Sequence, residues 1–150
     1  MSESQTFELS LEQVDNYEFR VRFDDTQAPE LITDEPAPLG AGAGPNPARL
    51  LVAAIANCLA ASLLFALRKF KNDPGKLRAR ARATLARNED RRWRVERVEV
   101  DMHLSDGVDT LEHLDSILGQ FEDFCIVTQS VRKGVQVDVR VLDAEGHELH

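Results

Sequence analysis

One run of apolar sequence, residues 44–70 (GPNPARLLVAAIANCLAASLLFALRKF), limits the possible folds more than any other stretch. Asn46 suits an N-cap, because its side-chain oxygen can accept a bond from a first-turn amide, and Pro47 suits the first helical position, where no N–H is needed. A helix therefore starts there. Within residues 50–67 only Asn57 and Ser62 are polar beside the thiol of Cys58. Such a helix is apolar all round and needs protein or lipid on every side. Its length would suit a membrane span at roughly 1.5 Å per residue. Six of these positions are alanine, however, and Asn57 lies mid-span, which is not the pattern of a spanning segment. The expectation is a buried central helix, whose Ala53, Ala54, Ala56, Ala60 and Ala61 admit close approach of a sheet or a second helix.

A chain of 150 residues with 43% hydrophobic content can bury a core without disulfide staples, so a single domain over 1–150 is expected. The start, MSESQTFELS, lacks the basic-then-apolar order of a secretory signal, and two cysteines do not make a disulfide scaffold. The expected location is a reducing cytoplasm. A net charge of −8 argues against nucleic acid or an anionic membrane as partner, although half of the 18 Lys and Arg fall within residues 76–97.

Alternation organises much of the rest. Phe7, Leu9 and Leu11, then Tyr17, Phe19, Val21 and Phe23, read as two antiparallel strands joined at Asp15-Asn16, a hairpin with one buried face. Glu18, Arg20 and Arg22 fall on the other face, either a solvated surface or the seat of a catalytic arginine. Residues 26–47 read as loop, with Leu31-Ile32 a short third strand. Gly40, Gly42 and Gly44 precede a helix start, where free amides can cradle an anion. The spacing is not GxGxxG and no Lys-Ser/Thr follows, so nucleotide binding is not expected; a mobile flap over the helix start is. After the stop at Asn72-Asp73-Pro74-Gly75, Leu77, Ala79, Ala81, Ala83 and Leu85 alternate with Arg78, Arg80, Arg82 and Thr84. That strand has an alanine face for the alanine-rich helix and an arginine face, ion-paired in part with its surroundings. The next strand changes phase between Val95 and Val98, which predicts a bulge near Glu96-Arg97.

Asp109-Thr110 with Glu112 can cap a second helix, along which Leu111, Leu114, Ile117, Leu118, Phe121 and Cys125 recur at helical steps before Lys133-Gly134 ends it. Cys125 thus belongs to its core face. Val135, Val137, Val139 and Val141 read as a closing strand. His103 and His113 stand alone, with His147 and His150 in the tail, so no set of ligands has zinc spacing and no metal is expected. The order is β-β-β-α-β-β-α-β, an α+β chain.

Two segments then carry a resemblance. The pattern Asn46, Pro47, Leu50, Leu51, Ala53, Ala54, Cys58, together with Cys125 followed by IVTQSVRKGVQVDVRV, resembles the OsmC/Ohr family of osmotically inducible and organic-hydroperoxide-resistance proteins. The likeness spans residues 39–142, and its specific motifs are the two cysteine segments. Where the family reads Cys-Pro-Val-Ser, this chain has Cys125, Ile126, Val127 and Thr128.

The resemblance implies an intertwined homodimer with OsmC-like fold and a thiol peroxidase that uses no cofactor beyond an external dithiol. Cys58 would attack the O–O bond and become a sulfenic acid, and Cys125 would condense with it to a disulfide. An apolar pocket would favour bulky organic hydroperoxides. In the family an arginine from the N-terminal sheet assists the thiolate, and here the candidates are Arg20 and Arg22. The family's glutamate just after the proline of this motif is absent, with Ala48 and Arg49 in its place; Glu18, Glu30, Asp34 or Glu35 could substitute. The alternatives are a homodimeric module that binds a small apolar or acidic ligand, in which the cysteines only pack, and a thiol redox sensor without turnover.

Overall fold

The computed structural model describes residues 3–105 and 110–149, which form an α+β chain. Its elements are β1 (Leu9–Asp15), β2 (Glu18–Phe23), β3 (Leu31–Thr33), α1 (Pro47–Lys69), β4 (Arg78–Arg87), β5 (Trp93–His103), α2 (Leu114–Gln120), a 3₁₀ turn (Phe121–Phe124) and α3 (Ile126–Lys133). Contacts cluster into two compact units. The first is the chain up to Ala56 with Arg80–Asp101, and the second is Asn57–Ala79 with the chain from Met102 on. Residues 47–56 of α1 belong to the first and residues 57–69 to the second.

In the first unit β1-β2-β3 form an antiparallel sheet, with Leu11 opposite Val21, and Phe19 opposite Thr33. Asn16 makes the β1–β2 turn at φ 51°, a conformation asparagine tolerates better than most residues. The buried face expected of this hairpin is confined to β2. Val21 is buried while Leu9 and Leu11 are exposed, and β1 is the edge strand of the sheet, paired with β2 alone among the described residues. β4 and β5 form a second, two-stranded sheet. The half-buried side of β5 changes phase between Val95 and Val98, as the sequence pattern requires. Its charges find local partners, with Arg97 paired to Glu99 at 3.9 Å and the Arg87 guanidinium 4.8 Å from the centre of the Trp93 ring.

The glycine-rich loop before α1 is built around an anion of its own. The Asp34 carboxylate accepts the amides of Glu35 (2.8 Å), Ala41 (3.1 Å) and Ala43 (3.0 Å), so the cradle that could have held a phosphate is filled by a side chain. These bonds hold the buried Asp34 below the usual carboxylate range. Gly40 is required here, since a Cβ would collide with the Glu35 carbonyl and the Asp34 carboxylate. Where the sequence suggested a mobile flap, the loop is a turn pinned by Asp34.

α1 starts as its sequence dictates, the Asn46 side-chain oxygen accepting the Arg49 amide at 3.0 Å. It ends in a Schellman arrangement. Lys71 adopts φ 62°, its amide donates to the Arg68 carbonyl, and that of Asn72 donates to the Leu67 carbonyl. The helix is not buried all round. Ile55, Leu59, Ser62, Leu63, Ala66 and Leu67 are buried at helical spacing, while Leu51 and Phe65 on other faces are exposed. By length and composition α1 could cross a membrane, and 33% of its most apolar window is buried within the chain.

Two further expectations change in the second unit. The single helix read through Cys125 is interrupted, with α2, the 3₁₀ turn and α3 following one another. Asp109, expected to cap it, lies outside the described residues; α2 instead begins after His113, at φ 58°. The apolar stripe is continuous in sequence, but the backbone turns at Cys125 (φ −85°, ψ 98°), and Leu118 is exposed rather than in the core. The expected closing strand also joins no described sheet, its one backbone bond to a later residue being from the Leu149 amide to the Val141 carbonyl at 2.7 Å. Val135, Val137, Val139 and Val141 are exposed, and among the described residues only the bridge Leu142–Glu148 follows α3. A strand needs a neighbouring edge for its amides, and the pattern of valines cannot say where that edge is.

Candidate active site

The second unit brings the two cysteines together. Cys58 lies at the middle of α1, half-buried, and Cys125 is fully buried; both are free thiols. Three ring contacts align the end of α1 with the segment that carries Cys125. Phe65 packs edge-on against Phe124 at 5.3 Å, Lys69 sits 5.4 Å above the Phe124 ring, and Phe70 meets the His113 ring at 5.5 Å. Two hydrogen bonds reinforce them, from Asn72 Nδ2 to the Glu112 carbonyl (2.9 Å) and from the Glu112 amide to Asn72 Oδ1 (2.8 Å). The residue that ends α1 thereby holds the entry to α2.

Cys125 is not a residue of a helix face but the N-cap of α3, its Sγ accepting the Thr128 amide at 3.4 Å. A sulfur there faces unpaired amides and the positive end of the helix, an environment that favours thiolate. The two thiols hydrogen-bond to each other, and the Ser62 hydroxyl, one turn along α1 from Cys58, reaches both. Their titrations diverge. Burial pushes the Cys58 thiol up, its hydrogen bond to Cys125 adds to this, and the Val127 amide and Ser62 oppose it only in part. Burial also acts against the Cys125 thiolate, but donation from Cys58, Thr128 and Ser62 prevails and holds Cys125 below the ordinary thiol range.

Arg20 and Arg22 come together in the first unit on one carboxylate. Arg20 Nε lies 3.1 Å from Glu30 Oε2 and Arg22 Nε donates to Glu30 Oε1 at 2.9 Å, with Glu12 3.7 Å from the Arg22 guanidinium. Of the four acids that might replace the missing glutamate, Glu30 thus holds both arginines. Asp34 is committed to its loop, and Glu35 accepts from the Asn46 side chain at 3.3 Å. The guanidinium that feels the charge of Cys125 is Arg132, on the last turn of α3, which donates to Glu122 at 2.6 Å.

Ser62, Thr128 and Arg132 are the members that sequence reasoning did not assign to the thiols. Ser62 follows Cys58 by four residues, a helical neighbour. Thr128 follows Cys125 by three, the N-cap-to-N3 spacing, but that signal was hidden while Cys125 was read inside a helix.

The sequence profile of the family described as OsmC-like protein matches residues 40–140. No functionally curated protein sequence matches. Among solved structures, the chain resembles an OsmC-like protein of unknown function from Vibrio cholerae, with TM-score 0.68 and 16% identity over 84% of this chain and 93% of that one. It is also similar to an organic hydroperoxide resistance protein from Elizabethkingia anophelis (TM-score 0.65, 20% identity, 88% and 91% covered). The organic hydroperoxide resistance protein OhrB of Bacillus subtilis gives TM-score 0.61 and 19% identity, with 85% and 91% covered. At these identities the structures speak for the fold, and together with the profile over both cysteine segments they show that the chain belongs to the OsmC-like family.

Proposed function

We propose that this protein is a thiol peroxidase for organic hydroperoxides, working in a reducing cytoplasm as a homodimer with an external dithiol as reductant. The observation that carries the reading is the pair of reduced cysteines within hydrogen-bonding reach, one accessible and one fully buried, at the N-terminus of α3. Attack by Cys58 on the O–O bond expels an alcohol and leaves a sulfenic acid. Cys125, already in contact, condenses with it to a disulfide, and dithiol exchange restores both thiols. Arg20 and Arg22, held by Glu30, are the candidate arginines of the sheet. The names of the hydroperoxide-resistance relatives support the substrate class.

Consumption of cumene hydroperoxide with a dithiol is the test. Wild type is expected to turn over, and Cys58→Ser to lose activity; equal rates in the two, or none in either, would sink the reading.

A second reading, a binding module for a small apolar acid, is favoured by one observation. In the first unit a cavity of about 450 Å³ is lined by Ala48, Val52, Ala53, Ala81, Ala83 and Leu85, with Arg49 as its cation. That reading expects a raised melting temperature with a medium-chain fatty acid and no oxidation of Cys58 by mild peroxide.

A further inference from the structure

Cys125 stands where the backbone breaks between the 3₁₀ turn and α3, and its sulfur has to be held there against α1. On the N-terminal side its place is fixed by Phe124, which meets the Phe65 ring and the Lys69 ammonium of α1. On the other side α3 is tied back across the break through Glu122. The Glu122 carbonyl accepts the Cys125 amide at 3.1 Å and the Gln129 side-chain amide at 3.3 Å. The Glu122 carboxylate takes the Arg132 guanidinium at 2.6 Å.

Helical spacing allows this. Gln129 and Arg132 follow Cys125 by four and seven residues, which puts all three on one face of α3. Arg132 is about 10 Å further along the axis, and helical side chains lean toward the N-terminus. Its long stem therefore returns the guanidinium to the turn from which Cys125 departs. The pair is half-exposed, so it adds little to the stability of the fold. What it fixes is the direction in which α3 leaves the turn.

We propose that Glu122 and Arg132 are positioning residues for disulfide closure: their ion pair straps the start of α3 to the 3₁₀ turn and so holds the Cys125 sulfur where it meets an oxidised Cys58. The inference rests on the peroxidase reading for the oxidant, but not for the closure itself. In closure the Cys125 sulfur attacks the Cys58 sulfur, the S–S bond forms and the S–O bond of the sulfenic acid breaks. The hydroxyl leaves as water with the proton of the Cys125 thiol. A disulfide asks for about 2 Å between the sulfurs and a narrow range of dihedral angle, so a small change in where α3 starts is felt in the rate.

Dipyridyl disulfide reads closure without peroxide. Exchange at the accessible Cys58 releases one equivalent of thiopyridone and leaves a mixed disulfide. Attack by Cys125 then releases a second, the proton of its thiol passing to the pyridine nitrogen. Arg132→Met keeps an apolar stem and removes the donors, and Glu122→Ala removes the acceptor. Each is expected to slow the second release about fivefold, the upper end of what a half-exposed pair supplies. The double variant should be no slower than either single one, Arg132→Lys should recover most of the rate, and all should melt within a few degrees of wild type. After a single addition of cumene hydroperoxide, the slowed variants should also carry more dimedone-trapped sulfenic acid at Cys58.

A second release as fast in Arg132→Met as in wild type, or additive losses in the double variant, would overturn the strap. So would a loss in Arg132→Met with none in Glu122→Ala, the sign of a guanidinium acting on the sulfurs by charge alone. Fewer than two equivalents from wild type would show that the pair does not close, and would overturn it as well. If no protein reacts with cumene hydroperoxide while the second release still follows Glu122 and Arg132, the peroxidase reading fails and the strap stands.

Discussion

At the scale of single residues, the most informative side chains are acids and thiols that have lost their exposure to water. Asp34 gathers three amides onto one carboxylate, and its depressed pKa makes this a pH-dependent contribution to stability. The unfolded chain titrates near the ordinary value of 3.8 and the folded one below it. The contribution is therefore complete above the unfolded value and is lost as pH falls through the folded one. Asp34→Asn keeps one acceptor oxygen and gives up the charge. It is expected to melt several degrees below wild type at pH 7, and the gap should close as thermal scans are taken toward pH 2. A gap that does not depend on pH would mean that the carboxylate charge contributes nothing. Glu30 behaves differently, because its pairs with Arg20 and Arg22 are half-exposed and such pairs contribute little to stability. Glu30→Gln should thus leave the melting temperature almost unchanged. Residue identity was legible for Cys58 and Cys125, which the family pattern names. Ser62, Thr128 and Arg132 were not, since their roles depend on how the backbone turns between Phe121 and Ile126.

At the scale of elements, helix starts and strand alternation were written plainly in the chain. Asn46-Pro47 starts α1, and β1, β2, β4 and β5 occur where apolar and polar residues alternate, with β3 at the short apolar pair Leu31-Ile32. The second helix was misread because Leu114, Ile117, Leu118, Phe121 and Cys125 keep a helical period across a break. Periodicity reports which side chains are apolar, not whether the backbone between them is continuous. Cys125 reveals the break through its extended backbone, which also suits a residue that precedes proline. Ile126 follows at the first helical position, where proline is favoured, and is 79% exposed. Ile126→Pro is therefore expected to be tolerated, and to stabilise by up to about 1 kcal/mol through the unfolded chain. A denaturant midpoint that drops would show that α3 does not start as described.

At the scale of the whole molecule, the exposed apolar residues are too many to be incidental. The chain presents 12322 Å² of accessible surface, whereas a monomer of 16.8 kDa should present about 7,600 Å². Counted on both copies, the excess is as large as the largest obligate interfaces bury, or larger. It includes Leu51 and Phe65 of α1, Leu9 and Leu11 of β1, and the exposed valines of residues 135–141. The sequence expected a helix enclosed on all sides and a closing strand, and both would be met if a second copy supplies the missing surface and the missing strand edge. A homodimer then accounts for two departures at once. Sedimentation equilibrium should give twice 16.8 kDa at micromolar concentration. Amides within residues 135–141 should exchange slowly although no described strand of their own chain pairs with them. Val139→Pro removes one of those amides and, if the segment is paired in the dimer, should raise the dissociation constant or yield monomer of lowered melting temperature. A monomeric wild type whose valine segment exchanges at the rate of free peptide would leave both features unexplained and remove the dimer from the account.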